Sequence, residues 1–219
     1  MTEPVIEILY AEAAPLSDDA LYRFWMERMP EERKRRIRSL RHAESQRQSL
    51  GVGILLFQAL RERGLDAQRA DIQAGACGKP FLPEHPEIQF SLSHSGEWVM
   101  CAVGGLPVGC DVEKTGRGTG QLVRRFFHPE EQKALAASAG SEEWSEMFTR
   151  FWTRKESLLK AKGTGLTESL AGFSCLSPGK GIWYDDAGPG PGYAAACCAL
   201  GEIRPVFRWR TVDLAGGLT

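Results

Sequence analysis

The sequence predicts an α+β fold made of two similar halves, each a long helix packed on an antiparallel sheet. Three features point to it. A helical stretch followed by a run of extended segments occurs twice, and the two long helices, near residues 44–63 and 144–162, lie about 100 residues apart. A chain of 219 residues has room for two such units in sequence. The composition, 42% hydrophobic and 25% charged, is that of a globular chain and excludes a collagen-like, coiled-coil or disordered one. The division is expected near residue 113, with an N-terminal half over 1–113 and a C-terminal half over 114–219.

Residues 5–9 alternate like a short strand. Ser17 can cap a helix running toward Met29. Pro30 suits the first position of the next helix, and Glu31 and Glu32 suit its positive end. That helical stretch is expected to run to Arg63, with Gly64 as its stop. Three extended segments follow, at 88–92, 98–103 and 108–113, and Gly104-Gly105 reads as a hairpin turn between the last two. Residues 114–121 form a glycine-rich loop. His128-Pro129-Glu130-Glu131 opens a short helix, and a longer one runs from Ser141 to Lys162, where Gly163 stops it. Strands return at 172–176, 182–184, 193–200 and 206–212, with a Gly-Pro turn at 188–192.

No apolar run approaches the ~18 residues of a membrane span. The acidic start (Glu3, Glu7, Glu12) does not read as an export signal. The six cysteines form no CxxC pair, so reduced thiols and a cytoplasmic setting are expected. Charge is balanced in both halves, with 13 basic and 15 acidic residues through position 110 and 14 and 13 beyond it. Neither half reads as a nucleic-acid domain. Seven basic residues nevertheless crowd positions 33–47 (Arg33, Lys34, Arg35, Arg36, Arg38, Arg41 and Arg47), either as a solvated helix face or as a phosphate-binding surface.

Four short segments could carry chemistry. In Val108-Gly109-Cys110-Asp111-Val112-Glu113, strand alternation sends Val108, Cys110 and Val112 to the core and puts Asp111 and Glu113 on the other face, ~7 Å apart. Such a pair can share a Mg²⁺ ion or simply face solvent. In Trp152-Thr153-Arg154-Lys155-Glu156-Ser157, helical spacing places Lys155 inside the apolar stripe made by Trp144, Phe148, Phe151, Trp152 and Leu159. Glu156 and Lys160 share its flank. A lysine breaking a binary pattern is read either as functional or as snorkelling. Phe90-Ser91-Leu92-Ser93-His94-Ser95-Gly96 ends a strand in hydroxyls and an imidazole. Gly78-Lys79-Pro80 sets a lysine in a rigid turn. The usual nucleotide, zinc-protease and serine-hydrolase motifs are absent.

Taken together and in this order, these segments, with Arg125-Phe126-Phe127 and Gly163-Thr164-Gly165-Leu166, resemble the 4′-phosphopantetheinyl transferase superfamily in its longer, surfactin-synthetase-activator branch. The resemblance spans roughly residues 30–175. It implies transfer of 4′-phosphopantetheine from coenzyme A to a serine of an apo acyl- or peptidyl-carrier protein, with release of adenosine 3′,5′-bisphosphate. The implied enzyme is a monomer that binds coenzyme A between its halves, with no nucleic-acid or membrane partner. Asp111, Glu113 and Glu156 would hold Mg²⁺. Glu156, or a metal-bound water, would take the serine proton, and Lys160 would stabilise the leaving group. Arg47, Lys79, Ser93, His94, Lys155, Lys160 and Arg35 would contact coenzyme A. The chain has Glu32 and Arg35 where the family commonly has lysines, which leaves Arg33, Arg35 and Arg36 as candidates for the 3′-phosphate. The competing readings are a polyanion-binding module built on the arginine cluster, or another Mg²⁺-dependent phosphate-transfer enzyme on the same scaffold.

Overall fold

The structure is a computed structural model that describes residues 3–165 and 169–218. It begins with strand β1 (Val5–Glu12), followed by helices α1 (Asp19–Arg28), α2 (Glu31–Ser39) and α3 (Ala43–Arg61). Next come the short pair β2 (Gln73–Ala74) and β3 (Pro80–Phe81), then β4 (Gln89–Ser95), β5 (Trp98–Gly104) and β6 (Val108–Lys114). The second part holds α4 (Gly120–Phe126), α5 (Pro129–Ala137), α6 (Glu142–Lys162), β7 (Ile182–Ala187), β8 (Tyr193–Leu200) and β9 (Val206–Thr211).

The fold is α+β, in four layers. Helices α1 to α3 cover one face of a four-stranded sheet ordered β4-β5-β1-β9. The other face of that sheet packs on a three-stranded sheet ordered β6-β8-β7, whose far side carries α6. Strand alternation makes this possible. On β1, Leu9 and Ala11 enter the core under α3, while Ile6 and Ile8 enter the core between the sheets with Val108, Cys110, Val112 and Cys197. With both faces covered, β5 reads as a continuous apolar run.

Each long helix is followed by a hairpin, β4-β5 after α3 and β7-β8 after α6, and then by a third strand that leaves for the other sheet. β6 pairs antiparallel with β8, and β9 pairs parallel with β1. Sheet membership therefore cuts across the division of the chain at residue 113.

Several sequence expectations change in detail. Gly104-Gly105 is not a hairpin turn, because β5 and β6 lie in different sheets. A side chain on Gly104 would instead strike the backbone of Val5 and the side chain of Ile6. The hairpin turn lies one strand earlier, at Gly96, with φ +53°. Asp18 rather than Ser17 caps α1, accepting the Leu21 N–H at 2.8 Å. The stretch after Pro30 is two helices, and the Leu40 carbonyl at the break is taken by the Gln46 side chain at 2.8 Å. Residues 120–126 are a helix that the glycine-rich spacing hid. Residues 172–176 are not a strand; a 3-10 turn at Leu170–Gly172 feeds an irregular segment. Leu166, the end of one matched segment, lies outside the described residues. The αL stop of α6 is at Gly163, with φ 69°.

Candidate active site at the seam between the sheets

β6 is an edge strand, so the N–H groups of Cys110, Val112 and Lys114 point away from β8. Three serines on one face of β4 meet them. The Oγ atoms of Ser91, Ser93 and Ser95 accept those N–H groups at 3.0, 3.3 and 3.2 Å. Two of the same hydroxyls then donate onward, Ser93 to Asp111 Oδ1 and Ser95 to Glu113 Oε2, both at 2.8 Å. The alternation Ser-x-Ser-x-Ser thus does on one strand what a peptide ladder would do, and it orients the two acids of β6 as well.

Across β6 runs α6. A Cβ at Gly109 would fall onto the backbone of Ser157, Lys160 and Ala161, so only glycine lets the strand lie against the helix this closely. The close approach sets Lys160 Nζ 2.6 Å from Asp111 Oδ1 and 3.0 Å from Ser93 Oγ. Asp111 is buried, and its second oxygen, Oδ2, has no hydrogen-bond partner. Glu156 stands one turn before Lys160 on α6. Burial raises the Glu156 pKa, and the nearby Asp111 and Glu113 carboxylates raise it further. Burial likewise raises Glu113 against the opposing hydrogen bond from Ser95. Burial is the largest influence on Lys160 and opposes its charge, but Asp111, Cys110 and Glu156 together outweigh it and the pKa is raised.

The sequence therefore brings Asp111, Glu113, Glu156, Lys160 and Ser93 into one neighbourhood. Among the described residues, however, no three His, Cys, Asp or Glu side chains form a closed metal-holding group. The Lys160 ammonium lies on Asp111, and Ser95 donates to Glu113, with Arg117 at 3.6 Å. The donor chemistry still suits a hard cation, since carboxylate oxygens are its preferred ligands and Asp111 Oδ2 is an open acceptor.

Two concavities meet this cluster. A cleft of about 360 Å³ is walled by Arg33, Arg36 and Ser49 from the N-terminal helices, by Lys79 and His94, and by Glu156 and Lys160 from α6. A smaller depression, about 160 Å³, is lined by Glu113, Lys114, Arg117, Leu122, Phe148 and Trp152. Trp152 and Phe148 stack there, 6.2 Å apart and 8° from parallel. Lys79 also clamps the two parts of the chain, donating to the Val108 carbonyl at 3.0 Å and the Ala161 carbonyl at 3.1 Å. Burial lowers its pKa. In the cleft wall, burial lowers the His94 pKa, as do Lys160 and Arg33. Arg33 donates to the Ser49 carbonyl at 2.6 Å and leaves its Nε unpaired; burial and the neighbouring Arg36 bring its pKa down to about 10, so it stays a cation at neutral pH.

Four residues expected to contact coenzyme A are not in the cleft wall: Ser93 is buried with its hydroxyl bonded to Asp111, the Val112 N–H and Lys160, and Lys155, Arg35 and Arg47 stand elsewhere. Lys155 is fully buried, donating to Glu131 at 2.8 Å and to the carbonyls of Leu170 and Phe173 at 2.7 and 2.6 Å. Glu131 in turn accepts the N–H groups of His128 and Cys175, so the pair staples α5 and the 170–175 segment to α6. The break in the apolar stripe marks this internal ion pair, not a ligand contact. Arg35 is exposed and Arg47 is half-buried on α3, and neither is among the residues that wall the cleft. Of the three arginines left open, Arg33 and Arg36 are the ones in the wall. The roles of Ser91, Ser95 and Glu131 escaped the sequence reading, although the serine alternation and the capping box at His128 were visible in it.

The profile of the 4′-phosphopantetheinyl transferase superfamily matches residues 107–186, from the start of β6 through nearly all of β7. The chain is 35% identical over 162 residues to the 4′-phosphopantetheinyl transferase Sfp of Bacillus subtilis strain 168, covering 73% of this chain and 71% of that one. It is also 35% identical over 145 residues to another Bacillus subtilis 4′-phosphopantetheinyl transferase, covering 65% and 64%. The human L-aminoadipate-semialdehyde dehydrogenase-phosphopantetheinyl transferase is 31% identical over 154 residues, which cover 63% of this chain and 48% of that protein. With the acid strand, the α6 pair and the serine strand all within one fold, this chain belongs to the 4′-phosphopantetheinyl transferase superfamily, alongside its Sfp-type members.

Proposed function

We propose that this chain moves 4′-phosphopantetheine from coenzyme A to a serine of an apo acyl- or peptidyl-carrier protein and releases adenosine 3′,5′-bisphosphate. The observation that carries the reading is the position of the Asp111–Glu156–Lys160 group, where a cationic cleft meets a small aromatic-floored depression. The cleft suits an anionic nucleotide: Arg33, Arg36, Lys79 and Lys160 are cations around it, and His94, biased toward its neutral form, can hydrogen-bond a phosphate without adding charge. The depression offers Leu122 and Trp152 beside Lys114 and Arg117, which suits an acidic helical carrier. Glu113 is part of its lining, so a carrier seated there would bring its serine to the acid cluster.

Asp111, Glu113 and Glu156 would hold Mg²⁺ together with phosphate oxygens of the co-substrate. When bound, the ion neutralises charge that builds on the pyrophosphate. Glu156, with its pKa raised, is suited to take the serine proton. Lys160 keeps its charge and can offset that of the departing bisphosphate. Both halves of the site lie in one chain, consistent with a monomer. All six cysteines are unpaired, as suits a reducing cytoplasm.

The test is intact-mass detection of one added phosphopantetheine on an apo-carrier after incubation with protein, coenzyme A and Mg²⁺. Asp111→Ala and Glu156→Ala should abolish it while the fold is retained. No mass gain on carriers of either class, or near-normal transfer by both variants, would sink the reading. Tight, salt-sensitive binding of RNA with no transfer would favour the polyanion-binding alternative.

A further inference from the structure

Lys160 has a contact that its role toward a leaving group does not require. Its ammonium lies on Asp111 Oδ1 at 2.6 Å and on Ser93 Oγ at 3.0 Å, within the electrostatic reach of Glu156. Those same carboxylates are the candidate ligands of a divalent ion, and Asp111 Oδ2 beside the ammonium is left without a partner. We infer that Lys160 is the resident counter-cation of the acid cluster, and that a divalent cation binds Asp111 in competition with it. This rests on the metal role given to the carboxylates above and goes beyond it by giving the lysine a second position.

Geometry and charge both support the exchange. An ammonium and a dication on one carboxylate repel strongly in a partly desolvated wall. Lys160 is tethered at neither of its acceptors by a rigid fork, because an ammonium is a point charge on a flexible stem. It is about one-third exposed, on the side of α6 that walls the cleft, so it has open space to move into. Once off Asp111, its donors face the cavity where the nucleotide phosphates would lie. Loading of the acid cluster and arming of the lysine are then one event. Ser93, the other acceptor, keeps its bonds to Asp111 and to the Val112 N–H in either position.

The experiment is binding of Mn²⁺ alone to the free protein, followed by electron paramagnetic resonance and calorimetry, with the thermal midpoint recorded with and without the ion. Lys160→Gln should bind Mn²⁺ about tenfold more tightly than the wild type, and the ion should raise its midpoint more. Lys160→Met is the second variant, in case the first is poorly folded. Lys160→Arg, which keeps a cation, should bind like the wild type. Equal or weaker Mn²⁺ binding by both Lys160→Gln and Lys160→Met overturns the exchange. Wild-type binding that Asp111→Asn abolishes would, in that case, leave the metal reading standing. Absence of binding in every variant overturns both.

Discussion

Replacing Lys155 by methionine separates two views of the residue that follows Arg154 in α6. Methionine matches the length and fills the space, but it cannot donate. Lys155 and Glu131 have no exposed side-chain surface, and the ammonium makes three hydrogen bonds, to Glu131 Oε2, Leu170 O and Phe173 O. The variant would strand the Glu131 carboxylate in the interior without a cation, held by hydrogen bonds such as those from the His128 and Cys175 N–H groups. Removing one partner of a buried pair costs about 3–5 kcal/mol. In a chain of this size that is a fall of ~10 °C in the thermal midpoint. Adding Glu131→Gln to the same chain removes the stranded charge and should recover part of the loss, a coupling that a double-mutant cycle measures. Circular dichroism melts give the midpoints, and steady-state transfer at low temperature gives the KM for coenzyme A. A midpoint within about 2 °C of the wild type, combined with a raised KM, would refute the internal-staple assignment and return Lys155 to the ligand.

Two further outcomes follow from the cleft and the acid cluster. Arg36→Ala should raise the KM for coenzyme A about tenfold, roughly the value of one charge-assisted phosphate contact, and leave dephospho-coenzyme A unaffected, while Arg35→Ala changes neither; the reverse pattern would put the 3′-phosphate on Arg35. In metal-free buffer, Glu156→Gln should be more stable than the wild type at neutral pH. The Glu156 pKa is raised from 4.5 in the fold, so its contribution is favourable below the unfolded value and is lost as pH rises through the folded one. The advantage of the glutamine variant should therefore shrink as pH falls toward 4.5, and denaturant melts across that range that show a constant or growing advantage would contradict the sign.

The local elements were largely legible. α6 carries an apolar stripe and a terminal glycine, and β8 is an apolar run of strand length, so period and punctuation alone bound them closely. What periodicity does not carry is which strand pairs with which. Gly104-Gly105 has turn chemistry, yet what requires Gly104 is the close passage of β1. Gly109 looked like one more residue of an acid strand, whereas its lack of a side chain is what lets β6 touch α6 and brings Asp111 to Lys160. Asp111 and Glu113 were expected on one face of their strand, and they do share it; the serine partners that orient them sit 18 residues earlier, at a separation local patterns cannot see. Lys155 breaks the apolar pattern in the sequence itself, but whether a buried lysine meets a ligand or a glutamate depends on α5, which is joined to α6 by packing and not by sequence spacing.

The traded third strands have a consequence for how this molecule could be assembled from pieces. A polypeptide ending at residue 113 would lack β9, leaving β1 with a bare parallel edge, and would hold most of β6 on the β4 serines but without its ladder partner β8. A polypeptide starting at residue 114 would have the mirror-image gap. Neither fragment owns a finished sheet, so the two should be inert when made separately and become active only when mixed, each supplying the strand the other is missing.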